Sequence, residues 1–383
     1  MNHTWDAAVL GAGIAGSSLA KSLADRGFET VLFDRKQFPR HKVCGEFLSP
    51  ESQSMLDALG FSEIVNSLQP SMINRTRLIF SYGEALEIPL PGIALGVSRY
   101  ALDAALHRAA QSSGVQVRTA TTVTSVLPGD RGYTIQTKQG EEHHTYQVRA
   151  VIAAWGANCR SGLPGHRPHG TANHAYIGVK SHYTGIEMEP VVELYFFDGG
   201  YLGISPIEGG HVNVAALLKR KAFRTTEKTM LGWIDAACSR NPKLRHKLAH
   251  AVPVPGTQAA VAPVHLNRKP LAWDQIPRVG DALLMMPPLC GDGMSMALRS
   301  AQLCSCLADR YLSGKISLER WEHEYSRSVR REFNSPLQWG RLLQWLIGMP
   351  VLPRLLLGAA HLAPGAAYRL VQATRLQESD SLE

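Results

Sequence analysis

Three glycines spaced Gly11-x-Gly13-x-x-Gly16, with an acid at Asp34, are the first residues along the chain whose types and spacing suit chemistry. An apolar run from Ala7 to Leu10 leads into them. A helical pattern through Ala15, Leu19 and Leu23 follows, Gly27 stops it, and Thr30–Phe33 reads as a second strand. In that setting Gly11 makes a tight turn, Gly13 lets backbone approach a pyrophosphate, and Gly16 lets the helix pack close against the strand. The start of the helix offers free N–H groups and the positive end of its dipole to phosphate. Asp34, followed by Arg35, stands where a carboxylate hydrogen-bonds a ribose hydroxyl. A carboxylate there repels a 2′-phosphate, so the pattern predicts FAD or NAD rather than NADP.

A second cluster lies far downstream. Gly280-Asp281 is followed by Pro287-Pro288, Cys290, Gly291, Asp292 and Gly293, then by a helical pattern from about Met294. Gly291 and Gly293 permit close approach of backbone to a flat ring, and the helix behind them aims its dipole at whatever lies in front. The plainer alternative is an ordinary strand, loop and helix capped by Asp292. A third cluster, "FPRHKVCGEFLSPES" (Phe38 to Ser52), directly follows the ribose strand and offers Lys42 and Cys44. Lys42 suits a phosphate or carboxylate partner. Cys44 is either a group touching ring or substrate or a small buried hydrophobe.

From Gly11 to Ala301 these segments resemble the para-hydroxybenzoate hydroxylase type of FAD enzyme. The resemblance implies that the dinucleotide is FAD, that Asp281 meets the ribityl chain, and that the Pro288 to Met294 segment lies against the flavin. "GVSRYALDAAL" (Gly96 to Leu106) resembles the Arg-x-x-Leu-Asp segment of the same enzymes, which places Arg99 near the cofactor; Val123 joins the implied contacts. "AVIAAWGANCRSGL" (Ala150 to Leu163) resembles their Ala-Asp-Gly-x-x-Ser turn, with Trp155 in place of the acid, leaving Gly156 a turn role. The Lys42-x-Cys44-Gly45 run resembles the Lys-x-Cys-Gly-Gly segment of geranylgeranyl reductases, with Glu46 replacing the second glycine. Their Tyr-x-Trp-x-Phe-Pro segment survives here only at its ends, Tyr201 and Pro206. Flavin halogenases carry a Trp-x-Trp-x-Ile-Pro segment that is not readable here.

The elements that must hold these residues follow from pattern. Alternating strand-like runs between Val191 and Leu218, broken by Gly-Gly turns, predict an antiparallel sheet roofing the cofactor, with Tyr195, Phe197, Tyr201 and Asn213 as expected substrate contacts. His211 and the pair His143 and His144 read as surface or turn residues. The fold class is α/β (α+β overall): a GxGxxG Rossmann-like FAD-binding domain with an inserted antiparallel β-sheet substrate domain and a helical C-terminal tail. The FAD-binding domain is expected over 1–75, 99–165 and 266–334, the sheet over 76–98 and 166–265, and the tail over 335–383.

Composition fits this picture. The chain has 383 residues, 45% of them hydrophobic and 19% charged, as expected of a folded protein with a sizeable core. A net charge of +8 raises nucleic-acid binding, but the basic residues are scattered and no recognition module accompanies them, so no nucleic-acid partner is expected. Anionic cofactors or an acidic membrane surface account for the sign equally well. The six cysteines form no zinc or disulfide spacing, no secretory leader is readable, and a cytoplasmic protein is expected. The apolar tail, interrupted by Pro350, Pro353 and Pro364, reads as a helical cover over the substrate opening, with peripheral membrane contact as the alternative.

Two reaction types follow from the resemblance. One is an NAD(P)H-dependent monooxygenase hydroxylating a lipophilic aromatic or polyketide-type molecule, and this is the expectation. The other is a reductase of isoprenoid double bonds. Cys44 and Cys290 are the candidate catalytic side chains, with FAD as cofactor, NAD(P)H or another electron donor acting transiently, and no metal. A non-catalytic flavoprotein and a halogenase stand behind both.

Overall fold

The computed structural model describes residues 3–82, 85–158, 162–164, 176–223, 227–266, 268–347 and 372–376. Cys159, Arg160 and Ser161 of the glycine turn lie outside them, as do the prolines expected to break the tail.

The chain opens as a βαβ unit: β1 (Thr4–Leu10), α1 (Ile14–Ala24) and β2 (Thr30–Phe33). Next come β3 (Phe47–Leu48), α2 (Ser52–Ala58), α3 (Ser62–Asn66), the pair β4 (Ser71–Ile79) and β5 (Leu86–Gly96), and α4 (Arg99–Ser112). Then follow β6 (Gln116–Arg118), β7 (Thr122–Gly129), β8 (Gly132–Gln139) and β9 (Glu142–Ala153). A run of strands comes after: β10 (Tyr176–Thr184), β11 (Val191–Phe197), β12 (Gly200–Pro206) and β13 (Val212–Lys219). The helices α5 (Met230–Cys238) and α6 (Pro242–Lys247) separate these from β14 (Val252–Pro253) and β15 (Ala259–Val264). Two long helices, α7 (Gly293–Leu312) and α8 (Leu318–Ile347), complete the described order.

Two sheets result. The first runs β6-β2-β1-β9-β8-β7. Its β6, β2, β1 and β9 are parallel, with Leu10 opposite Phe33 on one side and Ala153 on the other. Burial on both faces explains why Ala7, Ala8 and Val9 form an unbroken apolar run, each 0% exposed. One face carries α1, α4 and α7 in a single core that reaches Tyr325 and Phe333 of α8. The second sheet runs β14-β10-β13-β12-β11-β4-β5-β3, with β15 also on β10. It is antiparallel except where β11 meets β4 in parallel. Its far face is covered by Ile234 of α5 and Leu244 of α6.

The α/β class with a nucleotide-type domain and an inserted sheet is therefore as expected. The large sheet takes in β3 (Phe47–Leu48), its long strands start at Ser71, and α8 runs on through Pro336, which sits within the helix.

Candidate functional site

The glycine loop is built from backbone necessity. Gly11 has φ +117°, and a Cβ there would lie 2.3 Å from the Ala154 carbonyl oxygen. At Gly16 a Cβ would lie 1.8 Å from the carbonyl oxygen of Gly11. Gly13 is different: its nearest obstacle is Arg99 Nη2 at 3.7 Å, so the loop leaves open space in front of it. No side chain caps α1 at Gly13, which leaves its first amides for a ligand. Asp34 closes the loop. One carboxylate oxygen accepts from the Ala12 N–H at 2.9 Å and the other from the Lys36 N–H at 2.8 Å, while Asp34 itself lines the cavity beyond.

That cavity, about 1160 Å³, runs from the glycine loop to the large sheet. Gly13, Asp34, Arg35, Lys42, Cys44 and Gly45 line its nucleotide half. Asp281, Pro288, Cys290 and Gly291 line it from the opposite segment. Gly11, Ala15, Gly16, Gly280, Gly293 and Met294 stand behind this wall. Gly280 has φ +60° and packs against Ala15, and its N–H donates to Ser300 Oγ at 2.9 Å. Gly291 has φ +76°, and a Cβ there would meet the Phe47 ring at 2.9 Å. Among the described residues nothing lies within 4 Å of a Cβ placed on Gly45 or Gly293. Lys42 Nζ lies 3.8 Å from Asp281, tying two segments that are remote in sequence. Arg99 is buried and grips Asp103 through two 2.8 Å hydrogen bonds. These groups fit FAD: an open glycine loop with an arginine beneath it, an acid lining the cavity at the end of β2, and glycine-bared backbone where a flat ring needs close approach. Val123 sits instead in the apolar cluster of the first sheet and does not line the cavity.

The other half of the cavity is apolar. Leu78, Ile88, Leu90, Val192, Leu194 and Leu217 project from β4, β5, β11 and β13. Tyr201 joins them, 6% exposed, and its hydroxyl has no hydrogen-bond partner among the described residues. Tyr195 and Phe197 correct the expected substrate set. The even-numbered Val192 and Leu194 face the cavity, so alternation turns Tyr195 and Phe197 onto the far face, among the residues packed on α5 and α6. Tyr195 spends its hydroxyl on Glu193 at 2.8 Å. Asn213 does not line the cavity; its amide donates to the Cys44 carbonyl at 3.0 Å and holds that wall in place. His211 sits at a turn and His143 and His144 are exposed on β9. Burial pushes the Cys290 thiol well up, with Asp292 adding to it, so it stays protonated.

Two clusters were missed in sequence. Glu46, Lys180 and His182 meet behind Cys44 and Gly45, joined at 2.6–2.7 Å. Asp292, wholly buried, meets Arg375 at 2.5 Å and is pushed up to about 8, burial outweighing the arginine. The signal for the first cluster was present: an acid where the reductase segment has glycine, and two ionisable residues in β10, a strand buried over most of its length. Nothing local marked Arg375. Among the described residues no His, Cys, Asp and Glu group could hold a metal, and no helix is long and apolar enough to cross a membrane.

Comparison with known proteins agrees with this geometry. Menaquinone reductase of Mycolicibacterium smegmatis is 27% identical over 378 residues, covering 90% of this chain and 87% of that one. Digeranylgeranylglycerophospholipid reductase 2 of Methanopyrus kandleri is 26% identical over 347 residues, with 85% and 84% covered. The solved structure of a flavin-dependent brominase superposes with a TM-score of 0.80 at 19% identity, covering 98% of this chain and 95% of that one, a likeness of fold. The model of the FAD binding domain family matches residues 4–331, and the chain belongs to that family of FAD-dependent oxidoreductases.

Proposed function

We propose that this enzyme reduces a carbon–carbon double bond in a lipophilic, isoprenoid-type substrate held in the apolar half of the cavity. One observation carries the reading: the FAD-lining wall and the apolar face of the large sheet bound a single cavity of about 1160 Å³. The space and its aliphatic lining suit a branched hydrocarbon chain. Two curated relatives spanning most of the chain bear reductase names, which supports the same direction. Bound FAD, once reduced, would supply the hydride, and a proton taken up from solvent would complete the pair of hydrogens added across the double bond. The chain's own groups would position the reactants: Asp34 and the α1 amides would hold the nucleotide end, Asp281 the ribityl chain, and the leucines and valines would exclude water around the double bond. The test is anaerobic incubation of the pre-reduced holoenzyme with unsaturated and fully saturated polyprenyl lipids, followed by mass spectrometry. Gain of one pair of hydrogens by the unsaturated lipid alone is expected; no gain in any polyprenyl lipid refutes the reading.

A second reading, oxygen-dependent hydroxylation of a lipophilic aromatic with NAD(P)H as electron source, draws support from Tyr201. Its unpartnered hydroxyl in an apolar wall suits an aromatic bearing an acceptor group. Oxygen-18 from O₂ in the product would favour this reading over the first. Contact with a lipid surface is proposed for the end of α8, where Leu343 lines the cavity while Trp339, Leu342 and Trp345 are 39%, 41% and 59% exposed. Flotation with anionic vesicles tests it, and a protein that stays in the pellet fraction contradicts it.

A further inference from the structure

The cluster of Glu46, Lys180 and His182 is wholly internal, with Glu46 and Lys180 each 0% exposed and His182 5% exposed. Burial of charge is costly, and such clusters are weak evidence for stability on their own. Glu46 is also held at φ +54°, a left-handed conformation that favours glycine. A residue kept there against both penalties invites a chemical explanation.

The hydrogen bonds supply one. Lys180 Nζ is 2.7 Å from Glu46 Oε1, and His182 Nε2 is 2.6 Å from Glu46 Oε2. Lys180 Nζ is also 2.7 Å from the same His182 Nε2. A ring nitrogen has one valence to offer: it either carries a proton and donates, or keeps its lone pair and accepts. If Nε2 donates to Glu46, the Lys180 ammonium faces another donor. If it accepts from Lys180, its contact with Glu46 lacks a proton. With Nδ1–H of His182 present in both, the two competing arrangements differ by the one proton at Nε2 and need no movement of heavy atoms. The Arg99 N–H also donates to Glu46 Oε1, at 2.9 Å, anchoring the acid.

The surroundings place this unit against the cofactor wall and connect it to water. Cys44 and Gly45, next to Glu46, line the cavity. His41, also on the cavity, lies 3.4 Å from Lys180 through Nδ1 and stacks on the exposed Tyr100. Burial and the neighbouring Lys180 and His182 push His41 down to about 4, so near neutrality it is an uncharged ring able to pass a proton. Arg99, ion-paired with Asp103 on α4, also meets Glu46 through its backbone N–H, and the residue opposite His182 on β13 is the uncharged Asn213.

We propose that Glu46, Lys180 and His182 form a proton-exchange centre that takes up one proton from solvent through His41 when the FAD beside it is reduced. Two electrons arriving with fewer than two protons leave added negative charge in the site. One proton drawn from water onto the cluster offsets it and returns to water on reoxidation. The proposal depends on FAD binding and not on which substrate is transformed, so its tests stand apart from those of the reductase reading.

The direct measurement is the midpoint potential of the holoenzyme as a function of pH, with dithionite as reductant. The wild type is expected to take one more proton per two electrons than a Glu46→Gln/Lys180→Met/His182→Gln variant. That proton is a tenfold change in equilibrium constant per pH unit, about 30 mV for a two-electron couple. Equal slopes in a variant that retains FAD would overturn the proposal. Should that variant fail to fold, ¹⁵N spectra of the wild-type His182 ring decide the matter. A change of ring protonation on reduction is expected, and identical ring shifts in the oxidised and reduced holoenzyme would overturn the proposal equally.

Discussion

Replacing Glu46 by glycine restores the residue type that the resemblance to geranylgeranyl reductases suggests and that φ +54° favours. Backbone considerations alone therefore predict stabilisation, by about 1–2 kcal/mol for relief of a left-handed residue. The structure predicts the opposite. Glu46 Oε1 faces Lys180 at 2.7 Å and Oε2 faces His182 at 2.6 Å, with no exposure to water. Removing one partner of a buried ion pair costs about 3–5 kcal/mol, because the remaining charge keeps its desolvation penalty. The net expectation is a loss of roughly 1–4 kcal/mol. Adding Lys180→Met should recover part of that loss, since the stranded ammonium is then gone. The assay is urea unfolding of the FAD-free protein, followed by circular dichroism, for the wild type, both single variants and the double. The pH dependence has a defined sign. Burial alone would raise the Glu46 carboxyl, but the His182 hydrogen bond and the charges of Lys180 and His182 outweigh it and hold it below the ordinary 4.5. The wild-type advantage is thus fully present above that value and shrinks as pH falls through the depressed one. A Glu46→Gly protein as stable as the wild type near neutrality would refute the reasoning.

Three further expectations follow from the cofactor wall. Asp281→Ala removes the acid assigned to the ribityl chain and should weaken FAD binding by about 1–3 kcal/mol, read by calorimetric titration of the apoprotein; unchanged affinity would remove that assignment. Gly16→Ala places a methyl 1.8 Å from the Gly11 carbonyl oxygen, so the purified variant should carry little FAD; a full complement would show that the loop yields more easily than its packing implies. Asp292, raised to about 8 by burial, keeps a proton that the unfolded chain gives up above 3.8, so its contribution to stability falls as pH rises between those values. Asp292→Asn should flatten that part of the stability curve, and an unaltered curve would mean that the Arg375 contact keeps the acid ionised.

The parts of the site legible in sequence are those dictated by local backbone. Gly11, Gly13 and Gly16 each answer a need of the turn itself, and Asp34 sits at the end of the strand beside it. Gly291 was legible for the same reason. Alternation in β11 correctly separated two faces but not which one met the cavity. Both faces are buried, one over the cavity and one under α5 and α6, so Tyr195 and Phe197 read as well as Val192 and Leu194. The contacts of Glu46 with Lys180 and His182, and of Asp292 with Arg375, were out of reach because they join residues far apart in the chain through the packing of one sheet or segment on another. Glu46 in place of glycine was the visible trace of the first. It is a local rule broken where a distant partner compensates.

The most direct test of the account is anaerobic stopped-flow reoxidation of the pre-reduced holoenzyme by an unsaturated polyprenyl lipid. Return of the oxidised FAD spectrum without oxygen, in step with saturation of one double bond, is expected, with no return for the saturated lipid. FAD that stays reduced with every polyprenyl lipid and is reoxidised only when oxygen is admitted would contradict it.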